Sequence, residues 1–316
     1  MTLGERLQAV DAFQQRHRRL SFVAAVAKKF GDDQAGQLAA LISYYAFVSL
    51  FPLLLVFVTV LGFVLEGDPS ARRQIEEGTL GQFPIIGDQL KLHSLSGSGV
   101  ALAVGLIGAL LAGMGITNAA QNAFNRIWDV PFKHRPNFLL IRLRSLGMLA
   151  ALGTLNILAT TVAGFVGSSS PGALEAVSAA ALALVFNLIL FMTAFRLLTA
   201  AEVGWRELLP GVVLAAVFWQ ALQYLGGFYV SHVLRRTEPL YGTFALVLGL
   251  LAWLYIGTQL VIFAAEVNVV RVRRLWPRSF LSAPLLEADR RALVSSAEVE
   301  ERIHEESVEV SFEEPE

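Results

Sequence analysis

From residue 34 to residue 65 the chain runs for 32 residues without a formal charge. Five more uncharged windows follow, at 92–125, 145–174, 176–195, 208–234 and 239–265. A helix that crosses hydrocarbon needs about 20 mostly apolar residues, and each window can supply one. A soluble core has no use for six helices that are apolar on every side. Inside lipid, every backbone polar group must pair within its own segment, so the expected fold class is all-α. The sequence therefore reads as a polytopic membrane protein with six transmembrane helices. Short alternating segments of the kind that build a barrel are absent.

Composition narrows the chemistry. Hydrophobic residues make up 55% of the 316 and charged residues 16%, a membrane profile. There are no cysteines, which excludes disulfides, thiolate metal sites and cysteine nucleophiles. The five histidines, His17, His93, His134, His232 and His304, are scattered. No metal site, cofactor or catalytic set is expected, and no enzyme activity. The net charge of −1 hides a division: from Ser279 to Glu316 there are 11 acidic and 3 basic residues, against 15 and 22 in the rest. The acidic tail, 271–316, has too few large apolar residues to bury a core. It is expected to be mostly disordered, with a short helix around 285–304.

The expected spans are 39–65, 99–123, 145–167, 173–198, 208–230 and 240–268, within a domain covering 39–270. Residues 1–38 form a basic leader, in which Phe22, Val23, Val26 and Phe30 lie on one side of a helix flanked by Arg18, Arg19, Lys28 and Lys29. That pattern suits a helix lying in the membrane interface. Asp32 or Asp33 can cap the first span. Lysine and arginine are distributed 17 to 5 between alternate sides of the expected topology. The excess marks the cytoplasmic side, placing both termini there. GSSSPG at 167–172 makes a tight hairpin of the third and fourth spans, and the largest outer connection is 66–98.

Two features bear on function. In the second span Ala101, Gly105, Ala109, Gly113 and Thr117 recur every four residues, with Gly108, Ala112, Gly115 and Ala119 alongside. Small residues at that spacing let helix backbones approach closely, within the bundle or between subunits of a homo-oligomer. The second feature is a set of polar side chains near the cytoplasmic ends of four spans: Tyr44, Tyr45, Asn118, Asn122, Arg196, Gln259 and Glu266. Pro52, about two turns beyond Tyr45, removes a backbone donor and is expected to kink the first span. A charge at bilayer depth costs about 2.5–3.5 kcal/mol on insertion scales. Glu266 either pairs with Arg196, Arg271 or Arg273 at the interface, or helps line a polar cavity that could hold an anionic or zwitterionic head group. Trp128, Trp205 and Trp276 read as interface anchors.

Four stretches carry a resemblance: ALISYYAFVSLFPLLLVF (40–57), NAAQNAFNRIWDVP (118–131), LLPGVVLAAVFW (208–219) and PLYGTFALVLGLLAWLYIGTQLVIFAAEVN (239–268). In this order, across roughly residues 20–275, the chain resembles the bacterial inner-membrane proteins of the YihY / virulence factor BrkB type, once labelled ribonuclease BN-like. Ala264 stands where that family commonly has glycine. The resemblance implies a six-span helical protein of the bacterial cytoplasmic membrane, and a lipid- or envelope-related transport role has been suggested for such proteins. A nuclease would need clustered carboxylates and histidines around metal ions, and the sequence offers none, so nucleic acid is not an expected partner. The expectation is transport or translocation of a lipid-like or amphiphilic envelope molecule, with the lipid bilayer itself as the other partner. The alternative is a non-transporting scaffold for envelope machinery.

Overall fold

The computed structural model of the chain describes residues 3–64, 99–136, 140–148, 150–151, 153–154, 173–229, 235–281 and 285–313. The outer connection at 66–98, most of the third expected span and the 167–172 turn lie outside the described residues. The described residues contain helices and no strand.

Two leader helices come first, α1 (Leu3–Arg16) and α2 (Arg18–Asp32). Four long apolar helices follow: α3 (Ala35–Val64), α4 (Gly99–Ile127), α6 (Ala173–Leu198) and α7 (Trp205–Tyr229). Helical residues 140–148, here α5, stand between α4 and α6. The longest helix, α8 (Arg235–Val272), is followed by a short α9 (Glu287–Glu298). Among the described residues four segments are long and apolar enough to cross a membrane: Ala35–Val56, Leu102–Ile127, Ala181–Leu198 and Val247–Val272. Their outer faces carry large apolar side chains such as Phe51, Val104, Ile107, Leu111 and Ile189, at 46–63% exposure. Those faces suit a lipid surround and not water.

Glycine sets the helix spacing. A Cβ on Gly105 would meet Val56 and Leu55, and one on Gly108 would meet Pro52. One on Gly115 would come within 2.7 Å of the Tyr45 ring. The α3–α4 contact thus runs along Gly105, Gly108 and Gly115, on the seam between the two small-residue rows. Gly113 is buried, Ala109 is half-buried, and the Ala101 side chain lies outside the described residues. A tighter contact, which the sequence reading did not single out, joins α7 to α8. A Cβ on Gly211 would run into the Ala264 carbonyl and Asn268, and one on Gly226 would lie 2.9 Å from Trp253.

The buried core gathers at one end of the bundle. Phe124, Phe195, Ile127, Trp128, Leu208, Val212, Ile262 and Val269 meet there. Trp128 is therefore a core residue and not an interface anchor, whereas Trp205 is 57% exposed. The leader also departs from expectation. Ala25, Val26 and Lys29 are buried, Phe30 packs 6.0 Å from Phe263, and Phe22 meets Trp276 edge-on. The apolar face of α2 is partly covered, Phe22, Val26 and Phe30 packing inward while Val23 stays 58% exposed, where the interfacial reading gave the whole face to lipid. The tail departs further. The Phe132 and Lys133 amides donate to the Val299 and Glu301 carbonyls, and Lys133 pairs with Glu301 at 2.8 Å. The acidic tail is docked on the basic body between Ser279 and Glu306, with its helix at 287–298. Opposite charge supplies the contact that a missing apolar core could not.

Candidate functional site

The polar residues read from the sequence fall in three places. The first is the side of the α3–α4 pair. Tyr44 and Tyr45 stand edge to face at 5.6 Å, at 58% and 36% exposure. Tyr45 lies against Gly115, so Asn118, three residues on, sits within one turn of it along α4. Asn118 and Asn122 are exposed, four residues apart on one face of α4. Gln121 and Asn125, on the other side of that helix, are buried. Gln121 donates to Ser145 at 3.0 Å, tying α4 to α5, and the Asn125 side chain accepts from the Ala200 amide at 2.7 Å. Pro52 stays inside α3, against Gly108.

The second place is a cavity of about 680 Å³ at the α6–α7 link. His134, Arg144, Arg196, Thr199 and Glu202 line it. Arg144 donates to the Thr199 carbonyl at 3.0 Å, and Arg196 donates to the Val203 carbonyl at 3.3 Å. Both guanidiniums keep donors free for a ligand, since each has five. Two fixed cations and one histidine, set against one carboxylate, favour an anionic guest.

The third place holds Glu266, which is wholly buried. Arg196, Arg271 and Arg273 all point elsewhere. Arg271 donates to the Glu207 carbonyl at 3.0 Å, and Arg273 pairs with Asp129 at 3.1 Å. The charges around Glu266 are Lys29, Asp33 and Asp129. Lys29 donates to the Asp33 carboxylate, to Asp129 at 3.2 Å and to the Ile127 carbonyl at 3.1 Å. Arg273 and Ser295, the latter at 2.6 Å, occupy the other oxygen of Asp129. Burial works against the Lys29 ammonium, but Glu266, Asp33 and Asp129 outweigh it and hold its pKa above the usual lysine value. Asp129 is presented by its backbone: at φ 46° it is the left-handed residue closing α4, where the Val130 amide returns to the Asn125 carbonyl at 2.8 Å.

Gln259 stands apart from all three places. With Tyr255 it faces Gly36 at the start of α3. The structure therefore sets Tyr45 against α4 at Gly115, leaves Asn118 and Asn122 exposed further along that helix, puts Arg196 in the cavity, and buries Glu266 in a charge cluster. The cluster's other members were missed as a group. Lys29 read as a flank of an interfacial helix and Asp33 as a cap for α3. Asp33 instead ends α2, and its i, i+4 spacing from Lys29 was the available signal. Among the described residues no group of three or more His, Cys, Asp or Glu is placed to hold a metal ion.

Comparison with known proteins gives the family. The family described as Virulence factor BrkB matches residues 26–279, most of the chain. A UPF0761 membrane protein of Stenotrophomonas maltophilia is 29% identical over 279 residues, covering 82% of this chain and 62% of its own length. The inner membrane protein YhjD of Escherichia coli is 27% identical, covering 79% of this chain and 81% of its own. YfkH of Bacillus subtilis, whose name calls it ribonuclease-like, is 22% identical over 81% of this chain and 96% of its own. No solved structure matches. This chain belongs to the Virulence factor BrkB family and is a membrane protein.

Proposed function

We propose that this family member crosses the bacterial cytoplasmic membrane six times, near 39–65, 99–123, 145–167, 173–198, 208–230 and 240–268, with both termini in the cytoplasm. On this reading it translocates a lipid-like or amphiphilic envelope molecule. The observation that carries the reading is the cavity lined by Arg144, Arg196 and His134 at the end of an apolar bundle. Fixed guanidiniums at the mouth of such a bundle suit an anionic or zwitterionic head group, because charge-assisted hydrogen bonds are the strong ones. The exposed face of Tyr44, Tyr45, Asn118 and Asn122 offers phenols and amides along the side of α3 and α4. A chain-bearing molecule could keep its tails in lipid there while its head group exchanges partners. The same-side placement of the ends is supported by α1. Asp11 accepts from Ser279 at 2.7 Å and from the Phe280 amide at 2.8 Å, so leader and tail meet on one face of the bundle. That contact supports the reading of an even number of crossings.

A second reading, a scaffold without transport, draws on a different observation. Glu266 is sealed from the cavity, and the tail is held against the body through Lys133–Glu301 and Lys28–Asp289. A braced end of this kind suits a docking platform.

Native mass spectrometry of the detergent-purified protein with phosphatidylglycerol tests the first reading. Loss of the charged contacts in an Arg144→Ala, Arg196→Ala double variant is expected to weaken retention about tenfold, the value of roughly 1.4 kcal/mol. Equal retention by both proteins, or no lipid on either, favours the scaffold.

A further inference from the structure

The cluster around Glu266 is short of one proton donor. A lysine ammonium has three donors. Those of Lys29 go to Asp33, Asp129 and the Ile127 carbonyl. Arg273 gives three of its five donors to Asp129, Ser295 and the Trp128 carbonyl, and none to Glu266. Ser295 donates to Asp129. Neither oxygen of Glu266 receives a donor from any described residue. The Asp33 carboxyl is among the charged groups around Glu266. Two ionised carboxylates are acceptors only and cannot bond to each other. One proton between them supplies the missing donor.

Charge balance points the same way. The neighbouring set of Lys28, Arg278, Asp32 and Asp289 is paired two against two. The inner set has Lys29 and Arg273 facing Asp33, Asp129 and Glu266, two cations against three carboxyls. Burying an uncompensated carboxylate costs several kcal/mol, and two carboxylates that share a site do not both ionise. Asp129 is saturated by Lys29, Arg273 and Ser295 and stays charged, so the proton falls to the other two. We propose that Asp33 and Glu266 form a proton-binding site, sharing one bound proton where α2, the ends of α4 and α8, and α9 converge. Burial also pushes Asp33 above the usual carboxylate range, against the pull of Lys29. The site links leader, bundle and tail, so loss of the proton leaves a net negative charge that pushes the α2–α3 junction away from α8. The inference stands apart from the proposed translocation, because it is read on protein without any guest.

The test is infrared difference spectroscopy of the full chain in lipid nanodiscs, titrated from acid through neutral pH. The wild type is expected to show a protonated-carboxyl C=O band near neutral pH. The band moves on ¹³C-labelling of glutamate or aspartate side chains and is absent from Glu266→Gln and from Asp33→Asn. Its thermal midpoint falls as pH rises through that titration, since a proton held by the folded state stabilises it below the folded pKa and not above. In Glu266→Gln the amide donates to Asp33, and the fall disappears. No such band in the wild type, or a band that persists in both variants or ignores both labels, overturns the site. If a variant fails to fold, the labelled wild type decides alone.

Discussion

Asn268 grips Gly211 across the α7–α8 contact. Its side-chain oxygen accepts from the Gly211 amide at 2.8 Å, and its amide donates to the Leu208 carbonyl at 2.9 Å. The two groups flank Pro210, whose missing N–H leaves the Arg206 carbonyl to Arg271. One buried side chain thus completes the start of α7. Gly211→Ala would force a methyl into the Ala264 carbonyl, so it is expected to cost about 1–3 kcal/mol. Asn268→Leu, which removes both buried bonds between the helices, is expected to cost about 1–3 kcal/mol. Thermal unfolding of the detergent-solubilised variants measures both.

Glycine substitutions should separate packing from propensity. Gly31, near the end of α2, has open space around it, so Gly31→Ala is expected to stabilise by about 0.5–1 kcal/mol. Gly115→Ala meets the Tyr45 ring and is expected to destabilise, and to displace the ring from the exposed polar face. The two variants should shift the midpoint of one thermal scan in opposite directions.

The tail clasp should open in acid. Burial of Asp289 raises its pKa, but donors from the Ser279 amide, Lys28 and Arg278 outweigh this and hold the carboxyl below the usual range. Asp11 is lowered likewise, by Phe280, Ser279, Gln14 and Gln15 against burial. A folded pKa below the unfolded one contributes stability above the unfolded value, about 3.9, and loses it as pH falls through the folded value. Amide hydrogen exchange over 279–298 should therefore accelerate below about pH 4, ahead of α8. Asp289→Asn should show fast exchange already at neutral pH.

How much of this was legible depended on what each residue answers to. The spans follow from unbroken apolar runs, a local property, and α6 at Ala173–Leu198 begins and ends where the sequence places it. Asn118 and Asn122 were readable as one face because helical spacing alone puts them there. The sequence offers Glu266 the arginines expected at the same membrane depth, Arg196, Arg271 and Arg273. Its true neighbours, Lys29 and Asp129, come from the leader and from the turn after α4, and no periodicity links those segments. The tail was readable in principle: an acidic segment beside a basic body is a complementary pair. Composition alone gave the reading of disorder, because it counts the apolar residues a segment lacks and not the lysines that await it.

Topology is open to direct measurement. Reporter fusions after the leader and at the C-terminus should both report the cytoplasm, and one within 66–98 the far side, as the lysine and arginine asymmetry requires. Fusions that place the two ends on opposite faces contradict the proposed six-span topology.

The central claim is that the cationic end of this bundle moves an amphiphile. Vesicles reconstituted with the full chain and head-group-labelled phosphatidylglycerol test it through the rate at which label crosses the bilayer. The wild type is expected to exceed protein-free vesicles, with the Arg144→Ala, Arg196→Ala variant slower by about tenfold. A wild-type rate equal to that of empty vesicles, or an unchanged rate in the variant, would contradict the account.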